Sequence, residues 1–503
     1  MKATLFAHRN FPVGEVDRNL FGGFVEHLGR CVYTGLYEPS HPLADEDGFR
    51  TDVLELVREL GMPVMRYPGG NFVSGFDWKD SIGPREARPA RPDYAWKALE
   101  TNEFGLDEFV KWCRKANTEP IYAVNLGTGD AKSAQELVEY CNFAGRSRWS
   151  DLRQQNGADA PHNIRYWCLG NEMDGPWQIG HKTAPEYARI ALETAKMMKW
   201  VDPTIRLCIC GSSTRWMETY GEWDYQVLKE TYENIDYLSI HAYYGNPDHD
   251  VPNFLASPEL LDRQIADAAA LCDAAKAARK STRNLEIALD EWNVWYRGDV
   301  NAHPETEWQK GRPINEEIYD MADVLVVGGL LQTLLAHADR VKLANLAQTV
   351  NVIAPIMTEP GGKAWKQTIF HPFALTSRYG RGTSLQVKTE SPAYEGTGEF
   401  KGTVPFLKAA VVHRAAENEL VVFAINRSLD EALELTAEFG GFMPKTVVEA
   451  TEIHHDDPDA HNSADRQTVA PAPIHADRIR LQDGKLAATL KPFSWNMFRI
   501  KAK

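Results

Sequence analysis

The chain has 503 residues, of which 43% are hydrophobic and 25% are charged, as in an ordinary globular protein. This length accommodates one large domain of roughly 250–350 residues and a smaller one. The formal net charge is −15 and no basic stripe is present, which excludes nucleic acid and an anionic membrane surface as expected partners.

The first twenty residues contain no apolar stretch of the length that a signal peptide needs. His8, Arg9 and Asn10 interrupt the only apolar run there, whereas a signal-peptide core takes about 7–15 apolar residues. We therefore expect a cytoplasmic protein.

The seven cysteines are odd in number and widely spread, which predicts buried free thiols rather than a disulfide framework or a zinc site.

Strand-like and helix-like patterns alternate along the chain up to about residue 380. Short apolar runs typical of buried strands lie at 20–28, 62–67, 119–125, 164–169, 205–210, 235–240, 284–290 and 341–346. Segments of helical period lie between them, among them 51–60, 105–116, 133–143, 185–200 and 258–280. This alternation predicts an α/β fold, a (β/α)8 TIM barrel over residues 18–380.

One further segment, residues 321–338, is nearly apolar over a length at which a membrane span must be considered. Asp323, Gln332 and His337 interrupt it. Because its apolar residues recur on all sides of a helix, we expect a helix packed between a sheet and a neighbouring helix or subunit. The sequence therefore predicts no membrane segment here.

After about residue 380 the helical patterns end. Short alternating runs follow at 406–414, 419–427, 432–439 and 493–502. Turn-rich pieces separate them, which predicts a jelly-roll-like β-sandwich over residues 381–503. Residues 1–17 are expected to add a strand to this sandwich. The His- and Asp-rich tract 454–465 is expected to be a solvated loop rather than a metal site.

Polar side chains follow the predicted barrel strands, where the loops of a barrel enzyme converge. Two carboxylates stand out, Glu172 after the fourth strand and Glu291 after the seventh. Such a pair can flank a glycosidic bond, with one acid for the leaving oxygen and one nucleophile or base for the anomeric carbon. The pair therefore indicates glycoside hydrolysis, although a helix cap or a loop ion pair would explain either residue alone.

Aromatic and amide side chains lie near the same strand ends. The aromatic residues, whose flat faces suit stacking on sugar rings, are Trp96, Trp177, Tyr243, Trp292 and Trp295. The amides, which offer paired donors and acceptors to sugar hydroxyls, are Asn71, Asn171 and Gln348. Aromatic residues at strand ends also serve to cap a barrel, so this alternative stays open for each of them.

Six motifs in order carry a resemblance to a known family. They are GGFVEHLGRCVYTGLYEPSHP, MRYPGGNFVSGFDWKDSIGP, LGNEMDGPWQIGH, LSIHAYYGN, ALDEWNVWY and ANLAQTVNVIAPI, between about residues 10 and 380. The sequence resembles the α-L-arabinofuranosidases of glycoside hydrolase family 51, and the sandwich tail agrees with this. The resemblance implies that Glu172 is the acid/base and Glu291 the nucleophile.

The same resemblance implies the roles of further residues. Those that match the arabinose pocket are Glu26, Asn71, Trp96, Asn171, Tyr243 and Gln348, with Asn171 a ligand of the sugar 2-hydroxyl. Arg66 and Tyr243 match residues that steady the nucleophile. The implied mechanism is retaining and exo-acting, with the two carboxyl groups about 5–5.5 Å apart. It implies no metal or cofactor, small arabino-oligosaccharides as substrates, and a homo-oligomer, a hexamer built as a trimer of dimers.

Three other functions remain open on the residues alone. An endo-β-1,4-glucanase or a β-xylosidase would use the same two glutamates on the same fold. A non-catalytic sugar-binding protein could keep the pocket without the reaction. A metal-dependent lyase or aldolase is a third option, although the strand ends lack a clustered set of histidines. The linkage of the substrate, α-1,2, α-1,3 or α-1,5, does not follow from the sequence.

Overall fold

The computed structural model describes residues 1–297 and 304–502. The strands up to residue 380 are β1 (Lys2–Glu15), β2 (Gly22–Phe24), β3 (Val64–Tyr67), β4 (Arg91–Asp93), β5 (Ala98–Glu100), β6 (Glu119–Val124), β7 (Tyr166–Leu169), β8 (Arg206–Cys210), β9 (Tyr237–Tyr244), β10 (Glu286–Val294), β11 (Val341–Leu346), β12 (Ile356–Thr358) and β13 (Ala364–Lys366). The helices are α1 (Thr51–Leu60), α2 (Leu106–Ala116), α3 (Ala131–Asn142), α4 (Arg148–Gln155), α5 (Ala184–Val201), α6 (Glu222–Thr231), α7 (Val251–Phe254), α8 (Ser257–Arg279), α9 (Met321–Ala336) and α10 (Phe370–Tyr379).

Eight parallel strands close into a barrel. Around it they run in the order β2, β3, β6, β7, β8, β9, β10 and β11, and β11 pairs again with β2. Helices follow the strands along the chain and cover the outside of the barrel. The predicted (β/α)8 barrel is therefore confirmed, and so is the expectation that its loops converge at one end.

Two barrel strands extend further than the apolar patterns predict. The patterns end at residues 240 and 290, but β9 continues to Tyr244 and β10 to Val294. The pairing of β10 with β9 is irregular between Ala288 and Glu291, and its pairing with β11 is irregular between Leu289 and Trp292. Glu291 thus lies inside a strand, beside a β-bulge, rather than in the loop after it.

Helix α9 contains the apolar segment and is buried on every side. All its residues from Met321 to Leu335 are buried, as predicted. One side packs against the tail domain, where a Cβ on Gly328 would come within 2.4 Å of Trp495 Cδ1. A glycine is therefore needed where helix and sheet meet. No helix among the described residues is long and apolar enough to span a bilayer.

The tail is built from strands, as predicted. They are β14 (Thr383–Glu390), β15 (Ala393–Thr397), β16 (Lys401–Pro405), β17 (Leu407–Arg414), β18 (Glu419–Asn426), β19 (Leu433–Gly440), β20 (Pro444–His454), β21 (Ala472–Pro473), β22 (Ile479–Gln482), β23 (Lys485–Leu490) and β24 (Ser494–Ala502). Strand β1 lies between β14 and β19 in the large sheet. Apolar residues from both halves of this sheet form one core, so the sheet folds over into a sandwich.

A separate hairpin, β15–β16, leaves the sandwich and docks on the barrel. Its residues Phe400 and Val404 belong to the barrel core and not to the sandwich core. Asn253 of α7 accepts hydrogen bonds from the backbone N–H groups of Thr397 and Gly398, both at 2.8 Å. Because α7 lies in the loop after β9, the hairpin reaches the end of the barrel where the loops converge.

The seven cysteines are all buried as free thiols, as predicted. Cys168 and Cys208 lie inside the barrel among its core residues, where burial raises the pKa of the Cys208 thiol well above its usual value. Such thiols act as small apolar side chains. Half of the residues of the tract 454–465 are exposed, and the carbonyl of Pro458 accepts a hydrogen bond from the N–H of Met321, at the start of α9.

Candidate active site

A cavity of about 730 Å³ opens where the barrel loops converge, a size in the usual range for ligand pockets. Among its lining residues are Glu26, Asn71, Trp96, Glu172, Tyr243, Glu291 and Gln348. Arg66 and Asn171, each 1% exposed, lie behind this lining. The fold thus brings these predicted site residues together from distant parts of the chain. Trp292, also considered for stacking on a sugar, is instead fully buried in the core and stacks on Phe373.

The bulge in β10 turns two consecutive carboxylates toward the same buried arginine. In a regular strand Asp290 and Glu291 would point to opposite faces. Here Arg66 Nη1 lies 2.6 Å from Glu291 Oε1, and Arg66 Nε lies 3.3 Å from Asp290 Oδ2. Burial favours the neutral acid, but the charge of Arg66 and the contacts with His241 and Ser239 together outweigh burial and lower the pKa of Asp290 to about 2. Asp290 thus compensates the guanidinium charge that holds Glu291 in place.

Glu172 reaches the cavity from a left-handed turn. Strand β7 ends at Leu169, and Gly170 and Glu172 both have positive φ, of 87° and 44°. A left-handed conformation is uncommon for a glutamate and frequent at functional sites. Each of the two carboxylate oxygens of Glu172 has a hydrogen-bond partner of its own. Trp177 Nε1 donates to Oε2 at 2.7 Å, and His241 Nδ1 lies 2.9 Å from Oε1.

His241 connects the two glutamates. Its Nδ1 lies 2.9 Å from Glu172 Oε1 and 3.5 Å from Glu291 Oε2. Burial alone lowers the pKa of His241, but the surrounding carboxylates, Glu291 foremost, outweigh burial and raise this pKa well above its usual value. The carboxylates therefore favour the protonated form of His241, which lies between Glu172 and Glu291.

The two glutamates are close enough to act on one bond. One carboxylate oxygen of Glu172, one of Glu291 and a ring nitrogen of His241 all lie within 4.8 Å of one another. Retaining glycosidases hold their carboxyl groups about 5–5.5 Å apart, whereas inverting enzymes leave about 6.5–9.5 Å for a water molecule. The observed spacing fits direct attack by one glutamate and proton donation by the other.

The buried side chain of Glu26 forms the floor of the cavity. Trp96 Nε1 donates to Glu26 Oε1 at 2.9 Å, and Gln348 Nε2 donates to Glu26 Oε2 at 3.0 Å. A Cβ on Gly70 would come within 2.2 Å of Glu26 Oε2, so the chain can pass this carboxylate only without a side chain. Burial, aided by the charge of Glu291, raises the pKa of Glu26 to about 8. Glu26 is therefore mostly neutral at pH 7.

The raised pKa of Glu26 makes the stability of the protein depend on pH. Between about pH 4.5 and 8 the folded state binds a proton at Glu26 that the unfolded state has lost, so the free energy of unfolding falls as pH rises. We expect Glu26→Gln to match the wild type near pH 4 and to exceed it by a few kcal/mol near pH 9. Denaturant unfolding at both pH values measures this difference.

The neighbours allow this substitution. The Gln348 amide can turn to accept from the new side-chain amide, since its Oε1 has no partner among the described residues. Glu230→Gln, an exposed site on α6, is the matched control and should leave the pH dependence unchanged. If the free energy of unfolding changed with pH equally in Glu26→Gln and the wild type, the carboxyl of Glu26 would be shown to ionise normally.

Two residues of the site, His241 and Asp290, receive no role from the sequence analysis. His241 stands two positions before Tyr243, so strand alternation places both on the cavity side. Asp290 directly precedes Glu291, and only the bulge gives it the same orientation. His241 could have been found from the alternation, whereas nothing in the sequence marks the bulge. Trp177, predicted as an aromatic residue of the site, donates a hydrogen bond to Glu172.

Three groups of side chains have metal-ligand spacing among the described residues. They are Glu172 with His241 and Glu291, Cys168 with Cys208 and Asp290, and Asp45 with Glu46 and Asp47. Each already has a cation beside it. His241 is part of the first group, Arg66 pairs with Asp290 in the second, and Lys115 pairs with all three acids of the last. These charges are thus compensated by the protein's own side chains.

Comparison with known proteins assigns the family. A model described as the α-L-arabinofuranosidase 1 domain matches residues 56–260, and one described as the α-L-arabinofuranosidase C-terminal domain matches residues 290–494. A Bacillus subtilis protein named intracellular exo-α-(1→5)-L-arabinofuranosidase 1 is 50% identical over 99% of both chains. The solved structure of a family 51 α-L-arabinofuranosidase from Bifidobacterium longum is 43% identical, covers 99% of both chains and superposes with a TM-score of 0.94.

The chain belongs to the α-L-arabinofuranosidases of glycoside hydrolase family 51. The resemblance seen in the sequence motifs is thereby confirmed, and the protein is an exo-acting glycoside hydrolase. The relatives are named for different glycosidic linkages. Another Bifidobacterium longum relative, 46% identical over 99% of this chain and 97% of its own, is named exo-α-(1→6)-L-arabinofuranosidase.

Proposed function

We propose that this family 51 enzyme removes terminal non-reducing α-L-arabinofuranosyl residues from oligosaccharides derived from arabinan and arabinoxylan, with retention of configuration. The observation that carries this proposal is the short distance between the carboxylates of Glu172 and Glu291, since one oxygen of each lies within 4.8 Å of the other across the barrel mouth. An inverting mechanism needs a wider gap for its water molecule.

In the first step, Glu291 attacks the anomeric carbon and forms a covalent arabinosyl ester, while Glu172 gives its proton to the leaving oxygen. Arg66 and Tyr243 hold the attacking carboxylate, at 2.6 Å from Oε1 and 2.8 Å from Oε2. In the second step Glu172 takes a proton from water, and the water breaks the ester at the anomeric carbon. Glu291 is then free again, and the sugar keeps its configuration.

The floor of the cavity favours a single sugar unit as the group that is transferred. Glu26 and Gln348 are each 2% exposed and hydrogen-bond to each other there. Together with Asn71 and Trp96 they present amide, indole and carboxyl groups to the hydroxyls of one arabinofuranose. The burial of Glu26 and Gln348 at this end of the cavity supports the assignment of these four residues to substrate binding in an exo-acting enzyme.

Asn171 is proposed to bind the sugar 2-hydroxyl. Its Oδ1 accepts from Arg66 Nη2 at 2.7 Å, which orients the side chain and directs the amide nitrogen away from the arginine. We expect Asn171→Ala to lower kcat/KM by roughly 10²–10³-fold, because a 2-hydroxyl contact strengthens in the transition state. Steady-state kinetics with an aryl arabinofuranoside measures this, and a melting curve serves as the folding control.

Two outcomes would contradict the role of Asn171. A change in KM alone would mean that Asn171 binds substrate and transition state equally. Activity within about threefold of the wild type, which is less than 1 kcal/mol, would mean that it makes no contact of importance in the reaction.

The substrates are proposed to be short α-1,5-linked arabino-oligosaccharides that are hydrolysed in the cytoplasm. Support comes from the Bacillus subtilis relative, whose name records both the intracellular location and the (1→5) linkage. Faster turnover of intact arabinoxylan than of arabino-oligosaccharides would contradict this. A set of arabinobioses that differ only in linkage would identify the preferred bond.

A panel of 4-nitrophenyl glycosides tests the reaction itself. We expect hydrolysis of the α-L-arabinofuranoside to exceed that of the β-xyloside and β-glucoside by orders of magnitude. A preference for the xyloside or the glucoside would favour a β-xylosidase or an endo-β-1,4-glucanase instead. Sugar binding without hydrolysis of any member would indicate a protein that has lost its activity.

The assembly and the domain division are part of the same proposal. We expect a homohexamer arranged as a trimer of dimers, as the family resemblance implies, and a monomer in light scattering would refute it. The chain is proposed to divide into an N-terminal strand at 1–17, the catalytic barrel at 18–380 and the sandwich at 381–503. The pairing of β1 with β14 and β19 supports this division.

A further inference from the structure

The catalytic cavity extends past the two glutamates toward a side of the barrel that the arabinose pocket does not use. The floor residues Glu26 and Gln348 follow β2 and β11, which are neighbours in the barrel. Trp216 and Tyr244 line the cavity on the other side, after β8 and in β9. Glu172 follows β7 and stands next to this second side.

The position of Glu172 indicates where the leaving group of the substrate lies. Glu172 must lie beside the oxygen of the bond that breaks, so the group attached to that oxygen extends past Glu172 and away from the arabinose pocket. Around the barrel, β8 and β9 come directly after β7. This places the leaving sugar on the side of the cavity that Trp216 and Tyr244 line.

The hairpin of the tail domain contributes a carboxylate to this side. Glu399 lies in the turn between β15 and β16 and lines the cavity. It is exposed and has no hydrogen-bond or ion-pair partner in the part of the chain that the structure describes. The hydroxyl of Tyr244, a side chain that is 6% exposed, also lacks a partner there. The charge of Glu399 contributes to raising the pKa of Tyr244, after burial and against Arg215, so the two groups lie within electrostatic reach.

The turn that contains Glu399 is firmly attached to the barrel. Tyr394 donates to the carbonyl of Pro252 at 2.7 Å, and Arg263 lies over the ring of Phe400 at 4.2 Å. Asn253 holds the turn itself, through the two backbone hydrogen bonds to its Oδ1. The fixed turn holds the backbone of Glu399 at the cavity, and a free carboxylate there can accept hydrogen bonds from two neighbouring hydroxyls of a sugar.

We propose that Glu399 binds hydroxyl groups of the leaving sugar and so makes the tail domain a determinant of substrate specificity. The contact belongs to the aglycone side of the reaction. It rests on the proposed function, because it presupposes that an arabinofuranosyl bond is cleaved between Glu172 and Glu291. A nitrophenyl leaving group has no hydroxyl in that position and cannot make the contact.

The test compares two substrates in matched variants. For each enzyme, kcat/KM is measured for the arabinobiose that the wild type cleaves fastest and for 4-nitrophenyl α-L-arabinofuranoside. We expect Glu399→Gln to lower the ratio of disaccharide to aryl glycoside about tenfold, the effect of losing one charge-assisted hydrogen bond. Glu395→Gln removes the same charge from the same hairpin, outside the cavity lining, and should keep the wild-type ratio.

A second variant separates positioning from charge. Asn253→Ala removes the acceptor of the two backbone hydrogen bonds and should lower the same ratio, because Glu399 is then held less firmly. If both residues act through one contact, the double variant Asn253→Ala/Glu399→Gln should lose no more than Glu399→Gln alone. A purely structural effect of Asn253 would instead add to that of Glu399 and reduce both substrates equally.

The outcomes distinguish this inference from the function on which it rests. A ratio within about twofold of the wild type for Glu399→Gln, or an equal drop for Glu395→Gln, overturns the contact while the wild type still cleaves both substrates. A wild type that cleaves neither substrate refutes the proposed function and, with it, this inference.

Discussion

Glu291→Ala should lose activity on every arabinofuranoside, by on the order of 10⁵–10⁶-fold, the loss that follows removal of an enzyme nucleophile. Without the carboxylate no covalent intermediate forms, so even an excellent leaving group gives no advantage. The measurement is kcat/KM on substrates whose leaving groups range from an alkyl alcohol to dinitrophenolate. All of them should fall by a similar factor.

The structure indicates which control this variant needs. Glu291 accepts from Tyr243 and pairs with Arg66, so truncation leaves these buried groups with fewer partners. Arg66 keeps Asp290, which limits the loss of stability. Glu291→Gln preserves the shape of the side chain, and a melting curve for both variants separates lost chemistry from lost folding. Activity within 10²-fold of the wild type in the Gln variant would exclude Glu291 as the nucleophile.

The barrel and the position of the two glutamates at its mouth could be predicted because each depends on local sequence. Buried strands and amphipathic helices leave periodic patterns, and polar residues that follow a run such as 164–169 stand out against it. The sandwich was predictable for the same reason. The apolar helix at 321–338 was also interpreted correctly, since three polar residues in one apolar stretch argue against a bilayer.

The pairing partner of a side chain could not be predicted in the same way. The bulge at Glu291 depends on how β10 pairs with β9 and β11, and residues distant in sequence decide that register. The same holds for Glu399, whose hairpin reaches the cavity from another domain. Asp290 shows the limit most clearly, since a buried carboxylate inside an apolar run is equally compatible with a structural ion pair.

Glu172→Ala should behave differently from Glu291→Ala, because it removes a proton donor and keeps the nucleophile. Substrates with poor leaving groups should lose most of their activity, whereas dinitrophenyl arabinofuranoside still forms the covalent ester because its phenolate needs no proton. Hydrolysis of the ester then stalls, since water lacks its base. Stopped-flow absorbance should show a burst of phenolate and a slow steady rate. Glu230→Ala, an exposed residue on α6, is the control.

Azide provides the test that assigns the two roles. As an anionic nucleophile it needs no general base, so it should accelerate the slow phase of Glu172→Ala and yield an arabinosyl azide of retained configuration. In Glu291→Ala azide can only replace the missing nucleophile, and any product must have inverted configuration. The loss of Glu172 also deprives Trp177 Nε1 of its acceptor, so a melting curve accompanies the kinetics. A burst and a retained azide product from Glu291→Ala would exchange the two assignments, because only the residue that is not the nucleophile can be removed without abolishing the ester.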